Sequence, residues 1–184
     1  MTIVTLSATA ICSLLLGYAL SGEAFFVLQG DRPVDVGKLS AFQPRPELAN
    51  ALVRAAGVLQ YEGGIRYARP LESDTYRLGP VTDNARLWVE VRVPAGLEDS
   101  HFVAPTSFVG RLVPFAESGL RHSGLRSEVR AATGNKMASD AWLLVDGETP
   151  SGLRWAIGLV GLCLGFLVFS LYGIFCIVRP VRDA

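Results

Sequence analysis

An unbroken apolar run from Trp155 to Val178, bounded by Arg154 and Arg179, restricts what this chain can become more than any other stretch. Coiled as a helix at about 1.5 Å per residue it would be roughly 36 Å long, enough to cross a hydrocarbon core of about 30 Å with some tilt. A second uncharged run, Ile3 to Leu20, lies near the N-terminus. Only Met1 and Thr2 precede it, so it lacks the basic leader of a secretory signal, and it is longer than the roughly 7 to 15 residues of a signal core. Although Ser21-Gly22-Glu23-Ala24 would pass as a cleavage context, a retained signal anchor is the expectation.

The plan that follows is a membrane protein of α+β class. It has transmembrane helix 1 over 1–20, a juxtamembrane arm over 21–45, an extracytoplasmic mainly-β domain over 46–150, transmembrane helix 2 over 153–178 and a tail over 179–184. Positive residues close to a span mark its cytoplasmic side, and Arg179 and Arg182 therefore put the tail inside. Two spans return the N-terminus to the same side and send residues 21–153 outside, into a periplasm or its equivalent beyond a bacterial inner membrane. Cys12, Cys163 and Cys176 all fall within the two runs, so the exported domain folds without a disulfide.

Within the domain, Pro46-Glu47 opens a helical pattern over Glu47 to Val53, with a strand starting as early as Leu52 as the competing reading. A glycine hairpin is expected from Val58–Tyr61 and Ile65–Ala68. Strands are expected at Arg86–Val93, Ser107–Phe115 and Trp142–Val145, and a helix over Ser123–Thr133. In the first of those strands Leu87, Val89, Val91 and Val93 alternate with Arg86, Trp88, Glu90 and Arg92. Gly110, inside a strand, suggests a bend of the kind that curls a small sheet, as in an OB-like barrel.

Small residues propose how the helices pack. Thr9, Ser13 and Gly17 recur every fourth residue on the first, and Gly158, Gly161 and Gly165 cluster on the second, where they let backbones approach one another or a partner. In the domain, Tyr67, Arg69, Arg77, Trp88, Arg92, Arg111 and Arg121 form an arginine and aromatic set of the sort that anchors protein interfaces.

Signals for chemistry are few. The two histidines, His101 and His122, have no second ligand at a metal-binding spacing, and Asp99-Ser100-His101 places adjacent residues where a hydrolase triad needs facing ones. No phosphate loop, CxxC or HExxH occurs, so no catalytic, cofactor or metal site is expected. The 17 basic and 17 acidic side chains leave no basic footprint for nucleic acid. Ionisable groups are absent from both apolar runs, which argues against an ion path.

Two apolar runs flanking an exported β-rich domain resemble the plan of surfeit-type cytochrome oxidase assembly proteins; the likeness is one of architecture, with no motif matched residue by residue. The expected function is that of a non-catalytic accessory or scaffold subunit of a larger, energy-converting membrane complex, with other integral membrane subunits and the bilayer as partners. The alternative is a stand-alone assembly factor or sensor that binds a client or cofactor transiently.

Overall fold

The computed structural model describes residues 2–60, 62–69, 72–94, 102–119, 122–134 and 136–178. In chain order its elements are α1 (Thr2–Leu28), β1 (Val34–Lys38), β2 (Ala51–Ala56), β3 (Ile65–Ala68), β4 (Thr75–Val81), β5 (Asn84–Val93), β6 (Ser107–Pro114), α2 (Leu125–Thr133), β7 (Trp142–Asp146) and α3 (Arg154–Val178). They form two units, one built from the terminal helices and one from residues 31–149.

In the helical unit α1 and α3 are both long and apolar enough to cross a membrane. They run antiparallel. A Cβ built on Gly17 would lie 3.7 Å from that of Cys163, while one on Gly173 would lie 3.1 Å from Leu6 at the far end of α1. The shielded positions of α1 include Leu6, Ala10, Ser13, Gly17, Leu20, Ala24 and Val27, with Phe26 fully buried beside them, and those of α3 include Ala156, Val160, Cys163, Leu167, Ser170 and Ile174. Both series step alternately by four and three, the repeat that keeps one stripe of a helix facing a partner. Most of these side chains are small, so the backbones come close. The hydroxyl of Ser170 is buried in this seam with no hydrogen-bond partner among the described residues.

The other unit is a seven-stranded mixed sheet in the order β1-β2-β6-β7-β5-β4-β3. The pairs β1/β2 and β5/β7 are parallel and the rest antiparallel. Although β2 and β4 stand far apart in this order, Gln60 N donates to Pro80 O and Thr82 N to Val58 O, both at 2.9 Å, around a Leu59–Val81 bridge. The chain leaving β2 thus meets the end of β4, and the sheet must curl to allow it. Gly110 of β6 is where neighbours crowd most: a Cβ there would come within 1.9 Å of the Val145 carbonyl oxygen on β7.

Two apolar layers cover the two faces. On one, Val53, Val81, Leu87, Val89, Val91, Phe108, Leu112 and Leu144 pack with Leu39 and Phe102. On the other, Ile65, Leu78, Trp88, Val113, Leu143 and Val145 pack beneath Phe115, Leu125, Val129 and Met137. Strand β5 feeds both, Leu87, Val89, Val91 and Val93 going to the first layer and Trp88 to the second.

Several expectations need correction. Helix α1 continues to Leu28 rather than Leu20, since nothing between Ser21 and Leu28 breaks it, and the 21–45 arm contains strand β1. The helix over Glu47–Val53 is a 3-10 turn at Pro46–Leu48 followed by β2; burial of Ala51, Val53 and Ala55 in the sheet core outweighs the helical propensity of the stretch. Residues Val58–Tyr61 do not form the expected hairpin, because Ile65–Ala68 pairs with β4 instead; Tyr61 lies outside the described residues. Strands β4 and β1 escaped detection, β4 because Gly79 and Pro80 disguise it, while β2 matches the competing reading of a strand from Leu52.

Candidate functional site: an ionic cluster beneath helix α2

On the second face of the sheet, among apolar neighbours, sits Glu90. Strand alternation aims it inward between Trp88 and Arg92, and only 1 % of it is exposed. One carboxylate oxygen, Oε1, accepts from the Arg69 guanidinium, which follows β3. The other, Oε2, accepts from the Tyr67 hydroxyl at 2.5 Å and lies 2.8 Å from Nε2 of His122. His122 belongs to the segment leading into α2, and its Nδ1 is 2.8 Å from the Ser118 carbonyl oxygen. Beyond Arg69 the cluster continues. The guanidinium lies over the Tyr76 ring, 3.8 Å from its centroid, and pairs with Glu72 at 3.9 Å, while the Tyr76 hydroxyl donates to Glu72.

The electrostatics follow from this geometry. Burial works to raise the Glu90 carboxyl, but the hydrogen bond and charge of His122, then the charge of Arg69 and the Tyr67 hydroxyl, outweigh it and hold the group below its ordinary range. Burial and the neighbouring Glu90 push the Tyr67 hydroxyl far upward, so it stays a donor. For Arg69 burial is the opposing influence, overcome by the charge of Glu90, and the guanidinium is held more firmly charged than usual. Both Glu90 oxygens and both ring nitrogens of His122 are therefore engaged. These contacts tie the segment leading into α2 to the sheet. A surface cleft of about 310 Å³ opens beside His122, lined also by Phe115, Ser118, Gly119, Ser123, Gly124 and Arg126. Among the described residues no group of His, Cys, Asp and Glu could hold a metal ion.

Of the residues singled out as interface anchors, Trp88, Arg69 and Arg111 are buried instead of exposed. For Trp88 the physical reason is that its strand face is roofed by α2 and the segments around it, so it is a second core. Trp88 packs there with its indole nitrogen unpartnered among the described residues. Arg111 donates to the Asn50 side chain at 2.5 Å and lies 3.9 Å from Glu148. Tyr67 and Arg77 are half-buried, and Arg92 is exposed and paired with Asp74. Arg121 lies outside the described residues, as do Asp99, Ser100, His101 and the 179–184 tail.

On the helices, Ser13 and Gly17 lie in the seam and Thr9 beside it, its hydroxyl donating to the Thr5 carbonyl at 3.0 Å. Gly158, Gly161 and Gly165 do not: a Cβ built on any of them meets nothing within 4 Å. Sequence reasoning also took His122 as isolated and passed over Glu90. The available signal was Trp88, because a tryptophan alternating with charged residues on a strand otherwise rich in valine points to a covered face. No family model, curated protein or solved structure matches the chain.

Proposed function

We propose that the chain is a non-catalytic accessory subunit of a larger membrane complex, anchored by α1 and α3 and presenting its sheet domain outside the cytoplasm. The observation that carries this reading is the division of labour on α3. The stripe through Ala156, Cys163 and Ser170 is spent on α1, while Gly158, Gly161 and Gly165 lie exposed on another side, where a helix of a partner subunit could approach closely. The full engagement of Glu90 and His122 favours a structural over a catalytic role for the domain, and its curl favours a small OB-like barrel. The alternative, a stand-alone assembly factor or sensor, draws on the cleft beside His122.

Sizing in gentle detergent separates these readings. Comigration with a large complex in fixed ratio is the expected result, and Gly161→Leu with Gly165→Leu should abolish it while leaving the chain inserted, since leucine enters bilayers better than glycine. A small free species from the parent chain would favour the transient factor. Unchanged comigration of the double variant would show that the glycine face looks onto lipid.

A further inference from the structure

We propose that His122 is a proton-operated latch: as an imidazolium it ties the segment carrying α2 to the sheet, and loss of its proton releases that segment. The inference concerns regulation of the domain's surface and stands apart from the docking role above.

Donor accounting comes first. The Ser118 carbonyl can only accept, so Nδ1 of His122, 2.8 Å away, carries a hydrogen. Nε2 lies 2.8 Å from Glu90 Oε2, an oxygen of a carboxylate that already accepts from Arg69 and Tyr67. A lone pair on Nε2 would face a lone pair there, so Nε2 carries a hydrogen too. With both nitrogens as donors the ring is a cation. Charge balance agrees, because Glu72 and Glu90 then match Arg69 and His122 within one connected network.

The groups facing the ring are, among the described residues, Glu90 from β5, Tyr67 from β3 and Arg69 after it, with Ser118 on its own segment and Arg126 of α2 lining the same cleft. Arg69 Nη2 is 3.4 Å from Nε2 and can only donate. It is the partner a neutral ring would turn to, at the expense of its bond to Glu90.

Release would be local because what else holds α2, among the described residues, is the burial of Leu125 and Val129 and the side chain of Arg126, which donates to the Ser139 carbonyl at 3.2 Å and lies 5.2 Å from the Phe115 ring centroid. The helix is bracketed by Gly124 and Gly134 at φ +91° and +71°, left-handed turns at which the chain already changes direction. The cleft gives protons and water a way to the ring although His122 is itself buried. Opening uncovers the residues beneath α2, among them Ile65, Leu78, Trp88 and Leu143, so the domain shows different surfaces with the ring protonated and with it neutral.

The test uses the full chain in lipid nanodiscs, labelled with ¹⁵N-histidine, from about pH 5.5 to about pH 9. The expected result is a doubly protonated ring at the acidic end. As that proton is lost, hydrogen-exchange protection of the 125–133 amides, corrected for the intrinsic rate, falls at least tenfold while that of β2 stays. His122→Gln and Glu90→Gln should each remove the step, and His101→Gln, which serves to assign the second ring, should leave it. A ring already neutral at the acidic end, or one that loses its proton while α2 stays protected, would overturn the proposal. Both readings come from the parent chain, so they decide the matter even if a variant misfolds.

Discussion

Strand β5 gives its two sides to unlike environments, and the two faces of the sheet differ accordingly. Leu87, Val89, Val91 and Val93 enter a layer made wholly of hydrocarbon and aromatic side chains, held together by area and shape alone. Trp88 and Glu90, on the same strand, enter a layer in which a carboxylate, a guanidinium, an imidazole and two phenols are threaded through apolar neighbours. The first face tolerates any well-fitting hydrocarbon. The second works only when every polar member finds its partner, and it is near that limit, since Arg69 Nε and Trp88 Nε1 find none among the described residues.

The most disruptive way to break this contrast is to remove one member of the ionic cluster. Glu90→Ala would leave Arg69 buried with only Glu72, at 3.9 Å, as a counter-charge, and should cost about 3–5 kcal/mol in urea unfolding of the full chain in detergent, followed by tryptophan fluorescence. Replacing Glu90, Arg69 and His122 together by Leu, Met and Phe should recover most of that loss, since an apolar substitute for a buried ion cluster is often neutral or better. A triple variant no more stable than Glu90→Ala would mean that the layer depends on polarity for more than charge pairing. Acid sharpens the same point. Because folding holds Glu90 below the ordinary carboxylate range, its contribution is complete above about pH 4.3 and is lost as pH falls through the depressed folded value.

A smaller loss is expected on the hydrocarbon face. Val89→Ala removes two buried methyl groups and should cost about 2 kcal/mol, with no dependence on pH beyond that of the parent. If that variant acquired a new acid sensitivity, the two layers would be coupled through the strand and could not be treated as separate. Least of all should come from outside both layers. Arg86 and Asp140 pair at 3.4 Å with both side chains largely exposed, and Arg86→Ala should change stability by under about 1 kcal/mol.

The same contrast explains what could be read from the sequence. Val and Leu at every second position of β5 announced a buried face correctly, because hydrocarbon has one preferred place. Trp88 and Arg92 were read as interface anchors on the other side of the strand, with Glu90 alternating between them, yet of the three only Arg92 is exposed. Alternation tells which residues share a side of a strand and is silent on whether that side is roofed; the roof, α2, arrives more than thirty residues later. Glu90, and His122 at its Nε2, have their polar needs met by tertiary partners, so neither is recognisable alone. The small-residue pattern of the helices was partly legible. Ser13 and Gly17 lie in the seam, whereas the glycine cluster of α3 drew attention away from Ala156, Cys163 and Ser170, the residues that face α1.

The antiparallel seam carries a consequence for biosynthesis. Its two halves are separated by about 125 residues of chain, the whole sheet domain among them. At roughly 5–20 residues per second a ribosome needs on the order of 6–25 s to cover that distance. For all that time Ala10, Ser13 and Gly17 wait without the helix that will cover them. The seam closes only after Ala156, Cys163 and Ser170 have emerged, and until then α1 carries a bare stripe of small residues that a chaperone could recognise.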